Sequence, residues 1–216
     1  MLRGSTNKKV AIAIAFENFK DEEYFVTRQV LEAAGRKVIT VSNKMGTAQG
    51  VSGGQTPVDL SLDELKVEDY DGLVFIGGPG CLENLDQPVS YQIARETVKQ
   101  DKILGAICIS PVILAKAGLL KDRKATVWSV SLDKSPVKIL QDGGANYQEQ
   151  PVVIDGKIIT GNGPAVAREF GQAIVRLLSD WYNFNFCFAG WILLQTWLVF
   201  QNKVSLNQNW IAIDNR

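Results

Sequence analysis

The run Ile103-Leu104-Gly105-Ala106-Ile107-Cys108-Ile109-Ser110-Pro111 ends an apolar, strand-like stretch in a cysteine, and Pro111 opens a segment of helical period. Cys108 is therefore expected at a strand-to-helix corner. Such a corner aims its side chain off the carboxyl end of the strand, and the unpaired N–H groups of the following helix start favour thiolate over thiol. The chemistry this permits is nucleophilic attack by sulfur or oxidation of it. It must proceed without imidazole, because the chain contains no histidine and the usual base beside a catalytic cysteine is missing.

Composition limits what the sulfur can serve. The 216 residues are 46% hydrophobic and 21% charged, ordinary for a soluble core. The 23 basic and 23 acidic residues cancel and lie interspersed, which excludes the basic footprint of a nucleic-acid binder and a polybasic membrane patch. Partners are expected to be small molecules or protein. Cys81, Cys108 and Cys187 are an odd set without metal-ligand spacing, which suits a reducing cytoplasm. With no P-loop, no complete dinucleotide fingerprint and no metal cluster, no cofactor is expected.

The elements that must position Cys108 alternate in type, apolar runs followed by segments of helical period, the pattern of a parallel sheet covered on both faces. Strands are expected at Val10 to Phe16, Lys37 to Ser42, Gly72 to Ile76 and Ala125 to Trp128, and helices at Asp21 to Ala34, Pro88 to Lys99, Ser135 to Gln141 and Ala165 to Leu178. Met45 to Asp71 suits a small extended excursion, and Asp155-Gly156 between alternating apolar runs signals a hairpin. Residues 1–8 are expected to be a polar arm, 9–179 the domain, and 180–216 an extension of different composition. Trp181 to Phe200 holds three of the five tryptophans and no charge, and three readings stay open for it: docked on the domain or a partner, a poorly ordered extension, or membrane contact through 181–200.

Five landmarks in order resemble the DJ-1/PfpI superfamily over roughly residues 8 to 179. They are Lys9-Val10 with its strand, Asp21-Glu22-Glu23 entering the first helix, the Gly77-Gly78 turn, the Cys108 elbow and the Gly161-Asn162-Gly163-Pro164 turn. The resemblance implies an α/β flavodoxin-like sandwich related to the class I glutamine amidotransferase fold, with a central mostly parallel sheet, helices on both faces and usually a homodimer. It implies Cys108 as nucleophile, Glu23 rather than Glu22 or Glu17 as the acid hydrogen-bonded to it, and the N–H groups of Gly78 and Ile109 as an oxyanion or anion pocket. Such an acid, desolvated beside a thiolate, is held protonated and donates to the sulfur. Two departures matter. Ile109 stands where protease-like members carry histidine, and Trp128 stands where glyoxalase- and deglycase-like members carry one, so Trp128 and Ser110 are expected as pocket wall. Cys81 is either a resolving thiol or a small buried residue. The implied function is cysteine chemistry on small electrophiles of the glyoxalase, deglycase, hydratase or amidase kind. Redox sensing by Cys108 towards peroxide, in a stress protein or chaperone, is the alternative, and an intracellular peptidase lacks its base.

Overall fold

Alternation within single strands builds two cores on one sheet. The computed structural model describes residues 8–179; the arm up to residue 7 and the extension from residue 180, with its three readings, lie outside the described residues. In chain order the elements are β1 (Lys9–Ile14), β2 (Glu17–Phe19), α1 (Asp21–Ala33), β3 (Lys37–Ser42), β4 (Thr47–Gly50), β5 (Gln55–Pro57), β6 (Leu60–Ser61), β7 (Gly72–Phe75), α2 (Cys81–Leu85), α3 (Pro88–Lys99), β8 (Ile103–Ile107) and α4 (Pro111–Lys116). They continue with β9 (Lys124–Ala125), α5 (Ser135–Asp142), β10 (Asn146–Tyr147), β11 (Val152–Asp155), β12 (Ile158–Gly161) and α6 over 167–179.

In β1, Val10, Ile12 and Ile14 join one core while Ala11 and Ala13 join the other. β7 divides the same way, Val74 from Leu73 and Phe75, and β8 sets Ile103 and Ile107 apart from Leu104 and Ala106. Residues two apart share a face of a strand, so strands apolar at every position must be covered on both sides. Residues of α1 and α6 complete the core that holds Val10, and residues of α3, α4 and α5 the core that holds Ala11.

The sheet runs β11-β12-β8-β7-β1-β3-β6, parallel except where β11 returns antiparallel on β12. This is the expected flavodoxin-like sandwich. The order reverses direction between β1 and β7, and open sheets of this kind bind ligands beyond the carboxyl ends of their strands at such a reversal. Here the chain itself enters that crevice. A Cβ on Gly78 would lie 2.5 Å from the Lys20 nitrogen and 2.7 Å from the Asn18 oxygen, and one on Gly80 would lie 2.0 Å from the Glu17 oxygen.

Three expectations need correction. The strand expected over 125–128 is only Lys124–Ala125, paired with β10, because the following residues bond elsewhere: Thr126 N–H to Thr160 Oγ1 and Trp128 N–H to the Cys108 carbonyl. The hairpin turns on Gly156-Lys157 rather than Asp155-Gly156, since Asp155 still pairs with Ile158 and Gly156 takes the left-handed φ of +61°. Pro164 opens a 3-10 turn, Pro164–Val166, before α6 begins.

The excursion after β3 is tied to the start of α1. Both oxygens of the buried Asp21 carboxylate accept backbone N–H groups at the tip of the β4–β5 hairpin, from Ser52 at 2.7 Å and Gly54 at 2.7 Å. Gly50 and Gly54 are required there, because a Cβ on either would sit 2.3–2.4 Å from that carboxylate. Asp21→Ala strands two donors and is expected to destabilise the protein by about 2 kcal/mol, read as a fall of roughly 4–8 °C in the thermal unfolding midpoint.

Candidate active site

Cys108 follows β8 directly and adopts φ +66°. A non-glycine residue in this left-handed region costs about 1–3 kcal/mol and persists only where its surroundings over-determine it. Both of its peptide groups are held across the fold. Its N–H donates to the Gly161 carbonyl at the end of β12 at 2.8 Å, and its carbonyl accepts the Trp128 N–H at 2.8 Å. The residue is left 9% exposed.

The turn after β7 supplies the facing wall. Gly78, at φ +111°, and Ile109 each direct a backbone N–H at the Cys108 sulfur. Gly77 has a separate part: its N–H donates to Glu23 Oε2 at 3.0 Å, and a Cβ at this position would collide with Cys108 Cβ at 2.6 Å and Glu23 Oε2 at 2.9 Å. The glycine pair is thus dictated twice, once by backbone curvature and once by the two side chains converging on it.

α1 delivers the acid. Asp21, Glu22 and Glu23 fill its first turn, where negative charge complements the helix dipole. Glu22 turns outward and pairs with Lys20 at 3.1 Å. Glu17 is exposed. Glu23 turns inward and is fully buried. Burial pushes its carboxyl up to about 7, against the opposing influence of its hydrogen bonds to Cys108 and Gly77 and of the Lys20 charge. Its second oxygen, Oε1, is buried with no hydrogen-bond partner.

The thiol departs from the simple expectation of an ionised sulfur. Burial, and then the negative charge of Glu23, push Cys108 up, while the Gly78 and Ile109 N–H groups pull it down. The helix after the elbow, α4, is only six residues long, so these two amides rather than a long dipole are what favour thiolate here.

Other residues singled out in the sequence fall as follows. Trp128 is half-buried and packs against the core containing Cys108; a Cβ on Gly163 would touch its Cδ1 at 3.4 Å. Ser110 does not form pocket wall. It is fully buried, and its hydroxyl is engaged by backbone, accepting from Ile107 N–H at 2.9 Å and reaching the Phe75 carbonyl at 2.9 Å. Cys81 is fully buried in the core under α3, α4 and α5, with its thiol raised by burial, whereas Cys108 packs in the other core. Gly77 and Gly161 join the site without a sequence signal of that role, since neither a donor to Glu23 nor an acceptor for Cys108 leaves a mark in local sequence. Among the described residues, no group of three or more His, Cys, Asp or Glu could hold a metal ion, and no helix is long and apolar enough to cross a membrane.

Comparison with known proteins bears on the family and the fold. The model of the DJ-1/PfpI family matches residues 8–177. An uncharacterized protein of Methanocaldococcus jannaschii is 36% identical over 80% of this chain and 83% of its own. The glutathione-independent glyoxalase DJR-1.2 of Caenorhabditis elegans is 29% identical over 81% of this chain and 90% of its own. Among solved structures, a ThiJ/PfpI domain protein from Brachyspira murdochii superposes with a TM-score of 0.75 at 32% identity, covering 80% of this chain and 96% of that one.

The raised carboxyl has a measurable consequence for folding. The folded-state value of Glu23, about 7, lies above its ordinary 4.5, so its contribution to stability is fully present below pH 4.5 and is lost as pH rises through about 7. Glu23→Gln cannot ionise. Denaturant titrations from pH 4 to 8 should show the variant gaining on the parent by on the order of 3 kcal/mol across that window; a constant difference would show that the carboxyl is not raised.

Proposed function

The chain belongs to the DJ-1/PfpI family, and within it we propose a cysteine-dependent enzyme of small electrophiles, with reactive α-dicarbonyls of the methylglyoxal type as substrates. The observation that carries the reading is the buried pairing of Cys108 with Glu23, fed by the N–H groups of Gly77, Gly78 and Ile109. Two acidic groups this close do not both ionise near neutrality, so the pair holds one proton and one negative charge. Donor counting supports sulfur as the seat of that charge once substrate is bound, against the burial and the Glu23 charge that push the free thiol up. The sulfur faces two amide N–H groups, whereas an ionised Glu23 has one amide donor for Oε2 and none for Oε1. A protonated Glu23 leaves no charge on the partnerless Oε1, and an uncharged buried oxygen without a partner costs less than a charged one.

The chemistry follows from that state. The Cys108 thiolate attacks the aldehyde carbon, the S–C bond forms, and the former carbonyl oxygen takes the Glu23 proton under the Gly78 and Ile109 amides, giving a hemithioacetal. The carboxylate left on Glu23 then removes the C–H proton of that carbon and returns it to the neighbouring carbon, converting the hemithioacetal into a thioester of the 2-hydroxy acid. Water cleaves the thioester and restores the thiol. No oxidant, metal or thiol cofactor enters the balance, and a carboxyl poised near neutrality does the work that imidazole does elsewhere. The glyoxalase from Caenorhabditis elegans supports this choice of substrate. A peptidase reading has no comparable support, because expulsion of an amine needs a strong proton donor at a site where Ile109 and Trp128 are apolar.

The working unit is proposed to be a homodimer, supported by exposed Phe25 on α1 and Val51 beyond β4; sedimentation of the full chain as a monomer at micromolar concentration would remove that part. For the reaction, incubation with methylglyoxal should release lactate. Cys108→Ser should abolish the release, and Glu23→Ala should lower kcat by about 100- to 10,000-fold. No lactate from the parent protein would overturn the proposal.

A further inference from the structure

We propose that Ser110 is the positioning residue of the elbow: its hydroxyl fixes the peptide that enters Cys108 and so determines where the sulfur points. The inference rests on Cys108 being a reactive thiol, as read above, and extends that reading to a residue outside the sulfur's own contacts.

The last rung between β7 and β8 pairs Phe75 with Ala106. One residue later the Ser110 hydroxyl enters this edge. Its oxygen accepts the Ile107 N–H at 2.9 Å and lies 2.9 Å from the Phe75 carbonyl and 2.8 Å from the Ile107 carbonyl. The Ser110 N–H already occupies the Ile107 carbonyl at 3.3 Å, so the Phe75 carbonyl is the better-placed receiver of the single hydroxyl proton. One side chain therefore joins the end of β7, which leads into Gly77-Gly78, to the end of β8, which leads into Cys108.

These are the two segments that must hold their spacing for the site to exist. Gly77 carries the N–H for Glu23, Gly78 and Ile109 carry those for the sulfur, and Cys108 sits between them at φ +66°. The other restraints on the elbow, from Gly161 and Trp128, come from β12 and from the chain beyond β9. Among these restraints, the Ser110 hydroxyl is the one that reaches β7. Removing it leaves the Ile107 N–H and the Phe75 carbonyl without this buried partner and frees the strand ends to close or slide, which moves sulfur relative to its amides while every group touching it remains.

Ser42 supplies a matched control: it is a fully buried serine at the end of β3, donating to the Ile14 carbonyl at 2.8 Å, outside the elbow. The experiment is the rate of iodoacetamide alkylation at Cys108, followed by mass spectrometry across neutral and alkaline pH in the full chain, with thermal midpoints measured in parallel. Ser110→Ala should lower the rate at neutral pH by about tenfold and move its pH profile upward. Ser42→Ala should lower the thermal midpoint and leave the Cys108 rate and profile in place. Folded Ser110→Ala with an unchanged rate and profile would overturn the proposal. Should that variant not fold, volume-matched Ser110→Thr and Ser110→Val carry the comparison: Thr keeps the rate and Val loses it, and equal rates in the two count against positioning. Alkylation reads the thiol and not dicarbonyl turnover, so failure of the substrate assignment leaves this result independent.

Discussion

One cysteine in a left-handed backbone governs the arrangement. Cys108 cannot relax into its strand or into the helix beyond, because its N–H is taken by Gly161 and its carbonyl by Trp128. That geometry turns the side chain out of the sheet edge and towards the turn after β7. Everything opposite must then be small or be backbone. Gly77 and Gly78 meet both demands, and any side chain at either position would occupy space now held by Cys108, Glu23 or the 18–20 segment. The strain at one residue is offset by two strand ends and a parallel sheet with covered faces.

The second organising fact is electrostatic. A fully buried carboxyl and a nearly buried thiol share too little donor capacity to support two charges, so the site is built for one. Its three amides come from two places, two from the glycine turn and one from the elbow, and none depends on a side chain that could swing away. Lys20 sits close enough to draw the Glu23 carboxyl down, yet its ammonium is engaged by Glu22. The acid is thereby left near neutrality.

Much of this could be read from residue order. The apolar runs of β1, β7 and β8 are buried on both faces and announce a parallel sheet, while Gln87-Pro88 and the glycines near 118 and 143–144 mark helix ends that depend on local backbone preference. The Cys108 elbow and Glu23 were legible because corner geometry and the family pattern both attach to short stretches. Three kinds of feature were not. β2 is three residues long, includes Asn18 at φ +60°, and exists only by pairing with β4 from far along the chain. The strand expected to reach Trp128 fails because its donors find Thr160 and Cys108 instead of a neighbouring strand. Ser110 looked like a polar lining residue, and only the separation of two strand ends shows that its hydroxyl is spent inside the fold.

The segment 17–20 lodges in the crevice where the strand order reverses, with its carbonyls and an amide pressed against Gly78 and Gly80, and it continues without a break into the first turn of α1. Plug and acid are consequently one lever. Asn18 and Lys20 lead straight into the turn that carries Glu23, so the seating of this plug against Gly78 and Gly80 also fixes where the acid stands.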